Sequence, residues 1–173
     1  MARGGKILIT GVPGSGKTTL FRRLVEELRH LKPVGFYTAE IRKHGKRCGF
    51  RLNGLDGRTG ILAHMDFQTG YRVGKYDVDV AGFEAFIEPL PGLVRKGSLV
   101  MIDEIGKMEC FSDGFTKIIS DILNAEMPLI ATIAQKGGGL IADLKKQSDA
   151  QLFTLTRENQ DTLFDQICSD LKL

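Results

Sequence analysis

An eight-residue glycine-rich segment constrains this chain more than any other feature, and it consists of Gly11, Val12, Pro13, Gly14, Ser15, Gly16, Lys17 and Thr18. It matches the pattern G-x-x-x-x-G-K-[ST] at every fixed position. In a chain of this length, average residue usage gives a chance match with odds on the order of one in a hundred. An apolar, β-branched run, Lys6–Thr10, precedes the segment, and leucines at helical spacing follow it. The pattern therefore predicts a buried strand, a tight loop and an amphipathic helix that stops before Pro33.

Phosphate binding explains the residue types in this segment. Phosphate oxygens must approach backbone N–H groups closely, and glycines remove side chains and tolerate the backbone angles that this requires. The N–H groups and the positive dipole end of the following helix favour a β-phosphate, while Lys17 reaches the β- and γ-oxygens and the Thr18 hydroxyl coordinates magnesium. The Thr19 hydroxyl either contacts the α-phosphate or caps backbone groups. Residues 11–18 are thus predicted to bind the phosphates of a nucleoside triphosphate, against the alternative of a tight turn with a solvated lysine.

Apolar runs and helical patterns alternate along the rest of the chain. Buried strands are predicted at residues 6–10, 98–103, 128–133 and 151–155. Helices are predicted from Lys17, over 83–94 with a division at Pro89 and Pro91, over Asp113–Asn124, over 141–146, and in a last segment capped by Thr156. Breaks at roughly ten-residue spacing predict an antiparallel meander at 34–64, and 71–80 is expected to be extended. The expected fold is a single α/β domain over 1–173, with a mostly parallel sheet flanked by helices and the meander within it.

Composition places the chain among ordinary globular domains. It has 173 residues, of which 42% are hydrophobic and 26% charged. Cys48, Cys110 and Cys168 are odd in number and widely spaced, which argues against a disulfide framework or a C-x-x-C metal pair. No apolar stretch reaches the roughly 18 residues that a membrane span needs, and no targeting segment is evident. We expect a cytoplasmic monomer that does not bind membranes.

Charge gives a weaker signal. The net charge is +3, and the densest basic patch contains five side chains between Arg42 and Arg47. A solvated hairpin tip is favoured there over an anionic partner such as nucleic acid, since no nucleic-acid module accompanies the patch. The histidines, at positions 30, 44 and 64, show no metal-ligand spacing.

Two consecutive acids follow the second predicted buried strand. Asp103 ends that strand, where an aspartate lies beside the phosphate loop and accepts magnesium through its coordinated waters. The chain is expected to leave the strand at Glu104, whose carboxylate would then be directed toward a water behind the γ-phosphate, as a general base. Glu104 as an exposed loop carboxylate is the alternative. Thr132, which lies in another predicted strand, is interpreted as a packed residue rather than a γ-phosphate sensor.

Longer sequence matches resemble one family. The run D-E-I-G-K-M-E at residues 103–109 is far more specific than a phosphate loop, and it is accompanied by G-F-Y-T-A-E-I-R at 35–42, V-G-K-Y at 73–76 and T-R-E-N at 156–159. In order and spacing these segments resemble the thermophile-type nucleoside-triphosphatase family, also known through the cancer-related nucleoside-triphosphatase. The resemblance implies a RecA-like α/β domain that uses magnesium to hydrolyse several nucleoside triphosphates slowly.

The resemblance also implies roles for individual residues. Phosphate binding falls on residues 11–18, where the charge of Lys17 independently predicts a catalytic part. The magnesium role falls on Thr18 and Asp103, and the base role on Glu104.

Four further positions are less defined. Lys107 either neutralises γ-phosphate charge or is solvated, and Glu109 is interpreted as its ion-pair partner. Ala39 stands where a second acid follows the Y-T pair in the family, and Gln160 stands where an arginine commonly follows E-N. The roles that the acid and the arginine have in other members of the family are therefore not expected of Ala39 and Gln160.

Three functions are compatible with a phosphate loop. Hydrolysis is favoured because Asp103 and Glu104 suit an attack by water. A small nucleotide or nucleoside kinase would need an acceptor pocket and a basic lid, and the glycine-rich segment 136–139 carries little charge. A slow regulatory switch is the third possibility, although the N-K-x-D guanine signature is absent from the sequence.

Overall fold

The computed structural model describes residues 5–94 and 99–171, and these contain one nine-stranded sheet. The strands are β1 (Lys6–Thr10), β2 (Val34–Lys43), β3 (Lys46–Gly54), β4 (Thr59–His64), β5 (Arg72–Val73), β6 (Tyr76–Val78), β7 (Val100–Ile105), β8 (Leu129–Ile133) and β9 (Ala150–Thr154). Their order across the sheet is β5-β6-β4-β3-β2-β7-β8-β1-β9. Strands β2, β7, β8, β1 and β9 are parallel to one another, and the other four pair antiparallel. The predicted α/β fold class is confirmed.

In the part of the chain that the structure describes, six α-helices flank this sheet. They are α1 (Lys17–Glu27), α2 (Val80–Ile87), α3 (Leu90–Leu93), α4 (Asp113–Asn124), α5 (Leu140–Leu144) and α6 (Gln160–Asp170). Along β1, Ile7 and Ile9 join an apolar cluster with α1 and α6, while Leu8 joins a second cluster with α2, α4 and α5. A strand with both faces buried is uniformly apolar, which is why β1 could be identified from its composition.

The antiparallel half confirms the predicted meander. Strands β2, β3 and β4 pair in sequence, with irregular register after Ile41 and after Phe50. At the turn between β2 and β3, His44 and Gly45 take positive φ angles of 50° and 75°. The basic side chains there are exposed, and Glu40 accepts hydrogen bonds from Arg42 and from Arg47. The patch therefore lies at an exposed hairpin tip.

Most helix predictions agree with the structure, and Asp113–Asn124 has the predicted bounds. Helix α2 begins at Val80 rather than at residue 83, because the Asp79 carboxylate accepts a hydrogen bond from the Gly82 N–H at 2.9 Å and so caps the helix. Residues Leu90–Leu93 form a separate helix, in agreement with the division expected from the prolines. The segment predicted to be extended contains the two short strands β5 and β6.

The predicted start of the last helix is wrong. Helix α6 begins at Gln160, four residues after Thr156. The Asn159 side chain holds the preceding segment as a turn: its Oδ1 accepts from the Thr156 N–H at 2.8 Å, and its Nδ2 donates to the Thr154 carbonyl at 2.9 Å. These bonds satisfy backbone groups outside a helix, which is how asparagine competes with helix formation.

Strand β7 differs from its prediction at both ends. Ser98 lies outside the described residues, and the strand continues past Asp103 to Ile105. Ile105 is buried in the core and pairs with Ile133 of β8, so the apolar pattern resumes after the two acids. The expectation that the chain leaves the strand at Glu104 is therefore wrong. The β7–β8 ladder is irregular between Ile102 and Ile105, and the Asp103–Glu104 peptide bond is cis.

The parallel strands determine where a ligand site can form. In an open α/β sheet, ligands bind at the carboxyl ends of parallel strands, and here those ends carry the glycine-rich loop, the two acids and the 154–160 segment. Within residues 5–94 and 99–171, no helix is long and apolar enough to cross a membrane.

Candidate active site

The glycine-rich segment forms a tight loop between β1 and α1. Gly16, the residue before α1, has φ 96°, a left-handed angle that favours glycine. At Gly11 a side chain would collide with the chain, since a Cβ there would lie 2.6 Å from the Leu155 carbonyl oxygen. The glycines thus provide both a backbone turn and a close approach of the loop to the segment after β9.

Helix α1 begins without a side-chain cap, so its first N–H groups face the space above the loop. Lys17 Nζ lies over the loop and donates to the Gly11 carbonyl at 2.9 Å. Thr18 points toward the sheet, where its hydroxyl contacts Asp103, whereas Thr19 is exposed. The arrangement has the N–H groups, helix dipole and cation that bind phosphate.

Asp103 connects three elements. Its side chain is 1% exposed, and one carboxylate oxygen accepts from the Thr18 hydroxyl of α1 at 2.8 Å. The other oxygen accepts from the hydroxyl of Thr132 in the neighbouring strand β8. Burial raises the pKa of Asp103, while the hydrogen bonds from Thr132 and Thr18 and the charge of Lys17 oppose that rise.

The role of Thr132 was only partly predicted. It is buried, as expected for a packed residue, but its hydroxyl also orients Asp103. A threonine near the carboxyl end of a strand parallel to the Asp103 strand is the signal that could have suggested this contact.

The Thr18 hydroxyl and the Asp103 carboxylate lie together and carry oxygen atoms, which are the ligands that magnesium prefers. The described residues contain no cluster of three or more His, Cys, Asp or Glu side chains that could hold a metal. A magnesium ion at this position would accordingly take its remaining ligands from phosphate oxygens and water, which is the usual arrangement in nucleotide sites. The residues present fit the ion.

Two glutamates lie together behind Asp103. A Cβ built on Gly106 would be 3.0 Å from Glu109 Oε2 and 3.5 Å from Glu104 Oε1, so both carboxylates border the same small space. Glu104 is half-buried and Glu109 is 5% exposed. Burial raises the pKa of Glu104, Lys17 opposes the rise, and Asp103 adds to it.

The expected pairing of Glu109 with Lys107 is wrong. Lys107 is exposed, and the two form no ion pair in the described part of the chain. After Gly106 the chain folds back, with the Cys110 N–H donating to the Gly106 carbonyl at 3.1 Å, and this turn places Glu109 inside the protein. Burial, and then the charge of Glu104, raise the pKa of Glu109 to about 8. At neutral pH, Glu109 is therefore a protonated neighbour of Glu104.

This pKa predicts a pH-dependent stability. Between about pH 4.5, the ordinary pKa of a glutamate, and about pH 8, Glu109 is protonated in the folded protein but ionised in the unfolded chain. The contribution of Glu109 to the free energy of unfolding should consequently fall by roughly 1.4 kcal/mol per pH unit across that window as pH rises. We expect Glu109→Gln to remove this slope in urea titrations between pH 5 and 9. Equal slopes in the variant and the parent protein would contradict the prediction.

The two residues that depart from the family pattern, Ala39 and Gln160, lie in different parts of the structure. Ala39 lies in β2 opposite Arg51 and contributes no polar side-chain atom. Gln160, the first residue of α6, contacts the phosphate loop, because its Nε2 donates to the Ser15 carbonyl at 2.9 Å. This contact, between residues far apart in sequence, was missed by the sequence analysis.

Two features define the class of P-loop nucleotide-binding proteins here. One is the order of the strands, and the other is the glycine-rich loop that joins β1 to α1 and lies beside the buried Asp103 of β7. Residues 6–168 match a family model described as NTPase, and the chain belongs to that family.

Individual relatives extend over nearly the whole chain. The nucleoside-triphosphatase THEP1 of Thermotoga petrophila is 42% identical over 168 residues, which cover 96% of this chain and 93% of the relative. The cancer-related nucleoside-triphosphatase homolog of Mus musculus is 36% identical, with 93% of each chain covered. The crystal structure of THEP1 from Aquifex aeolicus superimposes with a TM-score of 0.89 at 34% identity, covering 97% of this chain and 99% of the other. The family resemblance inferred from the motifs is confirmed.

Proposed function

We propose that this chain hydrolyses nucleoside 5′-triphosphates, ATP and GTP among them, to diphosphate and phosphate in a slow, magnesium-dependent reaction of broad base specificity. The observation that carries the proposal is the position of Asp103 and Glu104. Asp103 is bonded to Thr18 of the loop–helix unit, and Glu104 follows it within the same strand. The names of the relatives, which are nucleoside-triphosphatases, support the same activity.

Phosphate binding is assigned to the backbone N–H groups of residues 11–18 and to Lys17. The lysine now bonded to the Gly11 carbonyl is close enough to the loop to exchange that oxygen for a phosphate oxygen. Because the N–H groups are already oriented, they stabilise charge that develops on the phosphates with little reorganisation.

Thr18 and Asp103 would hold the metal, and the chemistry supplied by magnesium bound there is neutralisation of charge on the β- and γ-oxygens. Thr132 contributes by fixing one Asp103 oxygen, which leaves the other directed at Thr18. This division of contacts keeps the carboxylate in one orientation.

Glu104 is assigned the role of general base. A base is most effective when its pKa is close to the working pH, and burial moves the pKa of Glu104 upward from its ordinary value. Because the neighbouring Glu109 has a pKa of about 8, it is protonated at neutral pH and adds no second negative charge beside Glu104.

Metal removal tests the proposal. We expect purified protein to release phosphate from ATP and GTP in magnesium, to stop in excess EDTA, and to recover when magnesium is restored. The physical reason is that Lys17 alone leaves most of the triphosphate charge uncompensated, and magnesium held near Thr18 and Asp103 would neutralise the rest. Phosphate release that continues in EDTA would refute the metal requirement.

The same assay separates hydrolysis from kinase activity. Each triphosphate is incubated with and without candidate nucleoside and nucleotide acceptors, and every phosphorylated product is identified. Inorganic phosphate as the product in all mixtures is expected, whereas a phosphorylated acceptor would identify a kinase.

A further inference from the structure

A pocket of about 460 Å³ lies at the carboxyl edge of the sheet, apart from the phosphate loop. Three segments surround it: the hairpin of β5 and β6, the turn 106–111 that follows β7, and the glycine-rich segment that follows β8. The volume falls within the roughly 300–1,000 Å³ of small-molecule sites. Because α/β sheets bind ligands at the carboxyl ends of their parallel strands, the position suits a second ligand.

The pocket brings together residues to which phosphate and metal binding give no role. Val73 and Gly74 come from the V-G-K-Y segment, and Lys107 comes from the D-E-I-G-K-M-E segment. The hairpin and the turn meet through two aromatic rings, since the ring centroids of Tyr71 and Phe111 lie 5.5 Å apart at an interplanar angle of 60°. Segments that are distant in the sequence thus line one space.

Two cations line the pocket, and the described residues that line it include no Asp or Glu. Arg72 donates from Nη2 to the Asp77 carboxylate at 3.0 Å, a bond that uses one of its five guanidinium N–H groups. Lys107 is exposed and forms no ion pair within residues 5–94 and 99–171. Burial raises the pKa of the Cys110 thiol to about 11, so this lining residue is neutral at physiological pH. The lining therefore attracts an anion.

The rest of the lining is apolar or consists of glycine backbone. Phe111 is 36% exposed, Val73 is partly buried, and the edge contact with Tyr71 supports the Phe111 ring. Ile141 is buried beneath the glycine-rich segment, because a Cβ on Gly137 would lie 2.6 Å from Ile141 Cδ1. An aromatic ring next to apolar side chains suits the flat ring of a ligand.

We infer that this pocket binds a phosphate monoester that carries a flat ring, with the phosphate near Arg72 and Lys107 and the ring against Phe111. Arginine and lysine are the side chains that recognise phosphate, and the rings of planar ligands stack on aromatic side chains. A nucleoside monophosphate has both parts. The site is distinct from the substrate site, and the inference does not depend on the proposed hydrolysis, because binding is measured without turnover.

Three probes test the two parts of the ligand. AMP carries the phosphate and the flat ring, ribose 5-phosphate carries only the phosphate, and adenosine carries only the ring. Each labelled probe is dialysed against the full chain, whose phosphate loop is filled by excess magnesium and a non-hydrolysable ATP analogue. AMP is expected to bind once per chain and more tightly than either of the other probes. Higher salt should weaken the binding of AMP and ribose 5-phosphate but not that of adenosine.

Two variants separate recognition of the phosphate from recognition of the ring. Lys107→Ala is expected to raise the Kd of AMP and of ribose 5-phosphate about three- to tenfold, with the Kd of adenosine unchanged. Phe111→Leu keeps an apolar side chain but removes the flat ring. It is expected to raise the Kd of AMP and of adenosine about three- to tenfold, with the Kd of ribose 5-phosphate unchanged.

Lys75→Ala is the matched control. Lys75 is exposed on the same hairpin, but its ammonium lies over the Tyr76 ring, 5.4 Å from the centroid, and it is not among the residues that line the pocket. Its replacement is expected to leave all three dissociation constants unchanged. Thermal melting of each variant verifies that the fold is intact.

The inference is wrong if AMP fails to bind once the phosphate loop is filled, because AMP would then be a ligand of the substrate site alone. It is also wrong if Lys107→Ala and Phe111→Leu both leave the Kd of AMP unchanged. A rise in that Kd as large in Lys75→Ala as in Lys107→Ala would contradict it too, since the general surface charge would then account for binding.

Discussion

Replacing Glu104 with glutamine is expected to lower kcat for ATP and GTP by about 10²–10⁴-fold, the usual contribution of a general base, with nucleotide affinity retained. Glutamine preserves the size of the side chain but cannot accept a proton from water. Asp103, Thr18 and Lys17, which bind the metal and phosphates in the proposed mechanism, are left in place. Single-turnover phosphate release and equilibrium binding of the nucleotide measure the two quantities separately.

Glu26→Gln is the control for this change. Glu26 is an exposed glutamate near the far end of α1, paired with Arg29, and its replacement should leave kcat unaltered. Turnover close to that of the parent protein in Glu104→Gln would assign the base role to another group.

Lys17→Ala is expected to lower kcat/KM by about 10²–10³-fold and to weaken nucleotide binding as well. The lysine supplies a positive charge in the loop itself, where it compensates the triphosphate before and during the reaction. Because the charge acts on both the bound substrate and the transition state, binding and turnover should decline together. Equilibrium dissociation constants and steady-state rates give the two effects.

Lys117→Ala controls for the loss of a lysine. Lys117 is exposed on α4 and lies 3.6 Å from Asp121, a surface pair whose contribution to stability is small. The variant should match the parent protein in both measurements. If Lys17→Ala also matched it, the assignment of residues 11–18 as a phosphate-binding loop would be wrong.

Sequence was sufficient for the parts of the site that are continuous in the chain. The loop motif, β1 and α1 follow one another within residues 6–27, and a local pattern therefore specifies them. Helix α4 was predicted with its bounds because its apolar residues repeat at helical spacing.

Contacts between distant segments could not be predicted in the same way. The bonds from Thr132 to Asp103 and from Gln160 to Ser15 depend on which strands are neighbours and on their register, which no local pattern states. The end of β7 was misplaced because two acids in succession suggest a loop, whereas tertiary packing of Ile105 continues the strand.

The contact between Gln160 and Ser15 joins positions 145 residues apart, so the phosphate loop is held by the last helix that the structure describes. Strand β1 likewise lies between β8 and β9, two strands made late in synthesis. During synthesis, β1 has no neighbouring strand on either side until β8 and β9 have been made. Nucleotide binding should thus begin only after α6 has been synthesised, and a chain that stops before α6 should be vulnerable to proteases.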